Sequence, residues 1–315
     1  MARSSPFDEW RPRPLSLSIL ILLGLTFLSL PAGARLTQDE DDVVRVDTEL
    51  VVLNVTVVDG AGKYVHGLRQ SDFKLIEDGQ EQQSIYSFSD EETPFAAAIL
   101  LDTSGSMERR VSMARAAAIR FLDGLRAEDV AAVYHFDSKV EQVQEFSMSR
   151  DLADIAFGLR AKGMTVLNDA VLRAAEDIAR RSEKRRAIVV LSDGGDTRSR
   201  ASMDAALAAA LSANATIYAV DMSSPEASPV ERLKGAAALR AMTGKSGGRY
   251  IASPGGLALR EAFASVVQEL GNQYTITYRP TNRAHDGRWR AIELKLARPD
   301  LTARTRKGYH APKKQ

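Results

Sequence analysis

Three short stretches carry oxygen-bearing side chains at spacings that suit a hard cation. In Asp102-Thr103-Ser104-Gly105-Ser106-Met107 the residues Asp102, Ser104 and Ser106 alternate. In a loop leaving a strand end their oxygens converge on one point, and Gly105 lets the backbone fold tightly between them. One carboxylate and two hydroxyls are hard donors, suited to Mg²⁺, Mn²⁺ or Ca²⁺ and not to softer metals. Gly163-Met164-Thr165 precedes a helical stretch and offers another hydroxyl at Thr165. Ser192-Asp193-Gly194-Gly195-Asp196 follows the apolar run AIVVL and puts Asp193 at the carboxyl end of a strand. Asp102, Ser104, Ser106, Thr165 and Asp193 therefore form a candidate divalent-cation site drawn from three loops. Asp169 and Asp196 lie nearby and read as helix-cap or turn carboxylates, not as ligands.

The elements around these loops alternate between strand and helix. Phe95 to Leu101 (FAAAILL) is a short continuous apolar run, as expected of a strand buried on both faces. Helical spacing follows over 107–125, then a strand over Val130 to Phe136 and an antiparallel edge partner over Val140 to Phe146. Helices are predicted over 149–160 and 167–182, a buried strand over Ala187 to Leu191, an Ala-rich helix over 201–213 and a strand over Ala215 to Val220. A helix over 230–242, a short strand over Arg249 to Ala252 and a last helix over 256–271 complete the series. Such alternation predicts an α/β fold, a doubly wound and mostly parallel sheet, whose ligand crevice lies outside the carboxyl ends of the strands. The three loops fall there.

On both sides of this stretch the text turns to β. Residues 43–58 are dense in Val and Leu with period-2 alternation, and Phe73 to Glu77 and Gln83 to Phe88 are short strands. After Tyr274 come YTITYRP and WRAIELKLA, with a polar turn between them. Trp289, Ile292, Leu294 and Leu296 are read as one buried face, matching Val51, Leu53, Val55 and Val57. Neither piece has enough strands for a stable sandwich. Residues 43–93 and 272–312 are therefore expected to form one small all-β sandwich domain into which residues 94–271 are inserted. Arg304, Arg306, Lys307, Lys313 and Lys314 read as a solvated basic end.

Residues 1–34 look like a targeting segment. Arg3, Arg11 and Arg13 precede the apolar run Leu15 to Leu30, Pro31 breaks it, and Ala32-Gly33-Ala34 fits the small-x-small rule for cleavage. The alternative is a retained anchor, since about 17 apolar residues can span a bilayer. That uncleaved segment would be the only contact with a membrane. Either reading makes the protein extracytoplasmic, in the periplasm, on the cell surface or in the medium. Residues 35–42 (RLTQDEDD) read as a solvated linker.

Composition removes several classes. The chain has 315 residues, 42 Lys and Arg against 41 Asp and Glu, and no cysteine. A near-zero net charge gives no footprint for nucleic acid. Without cysteine there is no disulfide framework, thiol nucleophile or thiolate-held metal. The four histidines are His66, His135, His285 and His310. His135 sits inside the strand VAAVYHFD and reads as a sheet residue, not as a general base.

DTSGSM resembles the D-x-S-x-S metal-site motif of the von Willebrand factor type A domain. GMTVLNDA is similar to that family's threonine loop and LSDGGDT to its aspartate-bearing loop. Met164 departs from the family, which often has Gly there. The resemblance covers roughly 94–271, and LRQSDFKLIEDG and RKGYHAP resemble the flanks of a bacterial exported subgroup of VWFA-related proteins. It implies that Ser104 and Ser106 ligate the metal directly, Thr165 in a ligand-bound state, and Asp102 and Asp193 directly or through water. It also implies a non-enzymatic adhesion or scaffolding module, whose partner is a protein offering an Asp or Glu carboxylate. The alternatives are a metal-assisted hydrolase, or a component of a secreted machine that makes its contacts through the β domain.

Overall fold

A computed structural model describes residues 50–90, 93–252 and 256–313. The targeting segment, the linker and the start of the first β piece lie outside the described residues. In chain order the elements are β1 (Val51–Val58), β2 (Phe73–Glu77), β3 (Gln80–Glu81), β4 (Ile85–Ser89), β5 (Phe95–Asp102), α1 (Val111–Asp123), β6 (Val130–Phe136) and β7 (Val140–Ser147). They continue with α2 (Leu167–Ile178), β8 (Arg185–Ser192), α3 (Met203–Ser212), β9 (Ala215–Asp221), α4 (Pro229–Ser246), β10 (Tyr250–Ala252) and α5 (Gly256–Gly271). The last four are β11 (Gln273–Tyr278), β12 (Trp289–Leu296), β13 (Thr302–Arg304) and β14 (Gly308–His310). Among the described residues no helix is long and apolar enough to cross a membrane.

The central sheet has the strand order β10-β9-β8-β5-β6-β7. All its pairs are parallel except β6 with the edge strand β7. Side chains of β5 alternate between two cores. Phe95, Ala97, Ile99 and Leu101 face α1 and α5, where Phe121 and Phe263 meet edge to face. Ala96, Ala98 and Leu100 face α2, α3 and α4. A strand buried on both faces has no polar side to show, which is why FAAAILL is apolar throughout. The chain leaves β5 toward β6 and leaves β8 toward β9, in opposite directions along the sheet. Their shared boundary is therefore the switch point where α/β sheets open a crevice.

Two four-stranded antiparallel sheets, β13-β1-β11-β4 and β14-β12-β2-β3, close over a third core. β1 pairs with β11 in the register Leu53 to Ile276 and Val55 to Tyr274, and β12 pairs with β2 in the register Leu294 to Leu75. Val51, Leu53, Val55 and Val57 alternate into this core opposite Tyr274, Ile276 and Tyr278.

Three expectations are corrected. Residues 149–160 hold no α-helix, only a short 3-10 turn over Asp154–Gly158. Side-chain bonds compete with the helix there. The Ser149 hydroxyl donates to the Asp151 carbonyl, the Gln144 side chain accepts from Ala153 N–H, and Arg115 donates to the carbonyls of Ala156 and Phe157. Trp289 is off the buried face. The pleat puts Arg290, Ile292, Leu294 and Leu296 on one side, so Trp289 stays 37% exposed and Arg290 is buried against Asp286 at 2.9 Å. The basic end is not solvated as a whole. Arg306 is buried, donating to the Leu211 carbonyl at 3.1 Å and to Asn214 at 3.0 Å, and burial pushes its guanidinium down to about 10. Arg304 pairs with the buried carboxylate of Glu269.

Candidate metal centre

β5 ends at Asp102 and its parallel neighbour β8 ends at Ser192, so the first and third loops leave the sheet side by side at the switch point. Asp102 is fully buried. One carboxylate oxygen accepts the Ser104 N–H at 2.9 Å, and the other accepts the Ser192 hydroxyl at 2.6 Å. Ser104 Oγ and Ser106 Oγ lie 3.2 Å apart. Ser104 is buried and Ser106 exposed, so the pair leads from Asp102 toward solvent.

The second loop is fastened to the first by backbone. Gly105 N–H donates to the Gly163 carbonyl at 3.3 Å, and Lys162 N–H donates to the Thr103 carbonyl at 2.9 Å. Gly163 needs to be glycine. Its φ is +74°, and a Cβ would stand 2.4 Å from the Ser138 hydroxyl. Thr165 is buried beside this junction, and its N–H donates to the Thr197 hydroxyl at 2.9 Å. Thr197 and Arg198 return their own N–H groups to the Thr165 carbonyl, each at 3.0 Å. Thus the second loop is clasped to the third.

The third loop lies on α4. Gly194 has φ +79°, and a Cβ there would meet the Gly235 carbonyl at 2.3 Å; a Cβ on Gly235 would meet the Asp193 carbonyl at 2.0 Å. Asp193 is half-buried and accepts Gly195 N–H at 2.9 Å. Asp196 and Asp169 take the structural role expected of them. Asp196 accepts from Asn168 N–H at 2.8 Å and from the Ser199 hydroxyl at 2.6 Å, and Asp169 accepts from Ala201 N–H at 2.8 Å. Both carboxylates knit the start of α2 to the third loop.

Burial pushes the Asp102 carboxyl up to about 7, and the neighbouring Asp193 carboxylate adds to that shift, against the hydrogen bonds from Ser104 and Ser192. Among the described residues Asp102 has no salt-bridge partner. A buried carboxylate without a counter-charge is costly unless a cation joins it. The donor set beside it is all oxygen, which fits Mg²⁺, Mn²⁺ or Ca²⁺. Ser104, Ser106, Thr165, Asp102 and Asp193 would hold such an ion, and the ion would supply an electrophilic position for an incoming oxygen donor. Among the described residues no cluster of His, Cys, Asp and Glu alone is placed to bind a metal.

Several supporting residues were not singled out by sequence. Ser192 ends a strand and looks there like any polar boundary residue, and Thr197 and Ser199 look like turn residues. Their roles depend on which loops the fold brings together. His135 also has assigned partners. Its Nδ1 lies 3.1 Å from the Thr103 hydroxyl and its Nε2 lies 2.9 Å from Glu141. Thr103 is buried and its hydroxyl also donates to the Phe136 carbonyl at 3.2 Å, so this hydroxyl–imidazole–carboxylate chain presents no nucleophile to a substrate.

Residues 97–195 match the profile described as the von Willebrand factor type A domain. No curated protein matches the chain. Among solved structures, the vWF domain of the type V pili tip protein Mfa5 from Porphyromonas gingivalis is similar at 12% identity and TM-score 0.47, covering 56% of this chain and 95% of that one. An aerotolerance-related membrane protein from Bacteroides fragilis is similar at 16% identity and TM-score 0.44, covering 56% and 98%. A von Willebrand factor type A protein from Catenulispora acidiphila is similar at 16% identity and TM-score 0.45, covering 78% and 74%. The stretch that matches the von Willebrand factor type A domain contains Asp102, Ser104, Ser106, Thr165 and Asp193.

Proposed function

We propose that this chain is an exported, non-enzymatic protein-binding module, for adhesion or scaffolding, that captures a partner's Asp or Glu carboxylate through a divalent cation held by Asp102, Ser104, Ser106, Thr165 and Asp193. The observation that carries the reading is the pairing of a buried, uncompensated Asp102 with two serine hydroxyls that lead from it to solvent. Neutral hydroxyls leave much of the cation's charge unmatched. An open coordination position then attracts an anionic oxygen from outside. The ion is Mg²⁺ in the simplest reading, and Mn²⁺ or Ca²⁺ suit the same donors. Export rests on the apolar run Leu15 to Leu30 and the small residues after it.

The test is binding of a synthetic pentapeptide with one central aspartate, against the same peptide with asparagine. In millimolar Mg²⁺ the aspartate peptide binds and the asparagine peptide does not, and EDTA abolishes the difference. Equal binding of the two peptides, or binding that survives EDTA, contradicts the reading.

A further inference from the structure

The loops of the cation site carry exposed cations, some matched by a carboxylate and some not. On the side of the first loop Arg109 points to solvent but is neutralised by Glu226, its Nη1 lying 2.9 and 2.8 Å from the two carboxylate oxygens. On the side of the second and third loops stand Lys162 and Arg198, both exposed. Neither forms an ion pair among the described residues. Two carboxylates next to these loops, Asp169 and Asp196, are instead engaged by backbone N–H groups and the Ser199 hydroxyl.

Both cations are anchored close to the ligands. Lys162 N–H bonds the carbonyl of Thr103, which lies between Asp102 and Ser104, and Arg198 N–H bonds the carbonyl of Thr165 itself. The Arg198 side chain is also steered, with Nη1 3.7 Å from the Sδ of Met164, a half-exposed residue adjoining Thr165. Two exposed positive charges without an ion-pair partner among the described residues thus lie on loops bonded to the cation site.

We infer that the partner segment carries a second acidic side chain beside the one that reaches the cation, and that Lys162 and Arg198 receive it. The inference rests on the carboxylate-capture reading and deepens it: the partner is an acidic protein loop with two acids. Exposed charge pairs steer and orient more than they tighten, so the effect is salt-sensitive and moderate.

The experiment uses the full chain in Mg²⁺ and two pentapeptides, one with a single aspartate and one with two aspartates separated by one residue. Fluorescence anisotropy at low ionic strength measures both affinities, in the wild type and in the doubly charge-reversed variant Lys162→Glu, Arg198→Glu. The expected result is a two-acid peptide that binds roughly fivefold to tenfold more tightly. That advantage shrinks in high salt and disappears in the variant. The Mg²⁺-induced rise in the variant's melting temperature shows that its fold and cation site are intact. Equal affinity for the two peptides in the wild type, or an advantage that persists in the folded variant, overturns the inference while leaving capture of a single carboxylate standing. Failure of either peptide to bind in a Mg²⁺-dependent way overturns the carboxylate reading and the inference with it.

Discussion

The two edges of the central sheet treat a buried carboxylate in opposite ways. At the carboxyl edge Asp102 is buried with hydrogen-bond donors but no counter-charge. At the other edge the antiparallel layer docks on the strand starts and helix ends, and the buried carboxylate of Glu269 is matched by cations. Glu269, in the last turn of α5, takes Arg304 from β13, the Tyr218 hydroxyl at 2.9 Å from β9 and the Thr56 hydroxyl at 3.2 Å from β1. A buried charge matched by the chain itself fixes packing, whereas one left unmatched on a set of hydroxyls is poised for something from outside.

Breaking the matched edge has the largest expected effect on stability. Glu269→Ala takes the buried carboxylate away from the half-buried Arg304 and from the Tyr218 and Thr56 hydroxyls, and should lower the unfolding free energy by about 3–5 kcal/mol in urea titrations. Cation binding at the opposite edge is expected to persist in the fraction that remains folded.

At the unmatched edge the expected signature is a pH slope of the wrong sign for a paired carboxylate. An unfolded Asp titrates near 4, whereas burial holds Asp102 at about 7 in the folded chain. The folded state therefore keeps its proton more tightly. Stability in EDTA is full below about pH 4 and falls as pH rises through about 7, by up to about 4 kcal/mol. Urea midpoints between pH 4.5 and 8 measure this. Asp102→Asn should flatten the slope, and saturating Mg²⁺ should oppose it by binding the ionised form. A flat profile in the metal-free wild type would mean that Asp102 is neutralised by the chain.

A smaller loss is expected at Gly194, where a side chain meets both a left-handed φ and the α4 backbone. Gly194→Ala should cost about 1–3 kcal/mol and weaken the cation response by displacing Asp193. Smallest of all is Arg109→Ala. Its pair with Glu226 is exposed, so thermal unfolding should change by no more than about 0.5 kcal/mol.

The sheet was legible because a strand buried on both faces must be apolar at every position, and Phe95 to Leu101 and Ala187 to Leu191 are. The first loop was legible because its three oxygen donors are two residues apart, a spacing that needs no knowledge of the rest of the fold. What escaped notice depends on partners distant in sequence. Arg306 looks like a solvated tail residue until the fold brings it to Leu211 and Asn214. Ser192 looks like a strand end until β8 is paired with β5. At Trp289 parity outweighs residue type, because the pleat buries Arg290 and leaves the aromatic half-exposed. Over 149–160 the apolar spacing favoured a helix, but serine, glutamine and arginine side chains hold the backbone in turns.

Direct titration of Mn²⁺ into the metal-free chain, followed by the electron paramagnetic resonance signal of the free ion, tests the central claim that the three loops form one divalent-cation site. The account predicts one Mn²⁺ bound per chain, competed by Mg²⁺. That binding should be lost in Asp102→Ala and in the double variant Ser104→Ala, Ser106→Ala while both remain folded. At a hundredfold excess over Kd the ion should also raise stability by about 2.7 kcal/mol in the wild type alone. No binding by the wild type at millimolar Mn²⁺, or a site that survives in either variant, would contradict it.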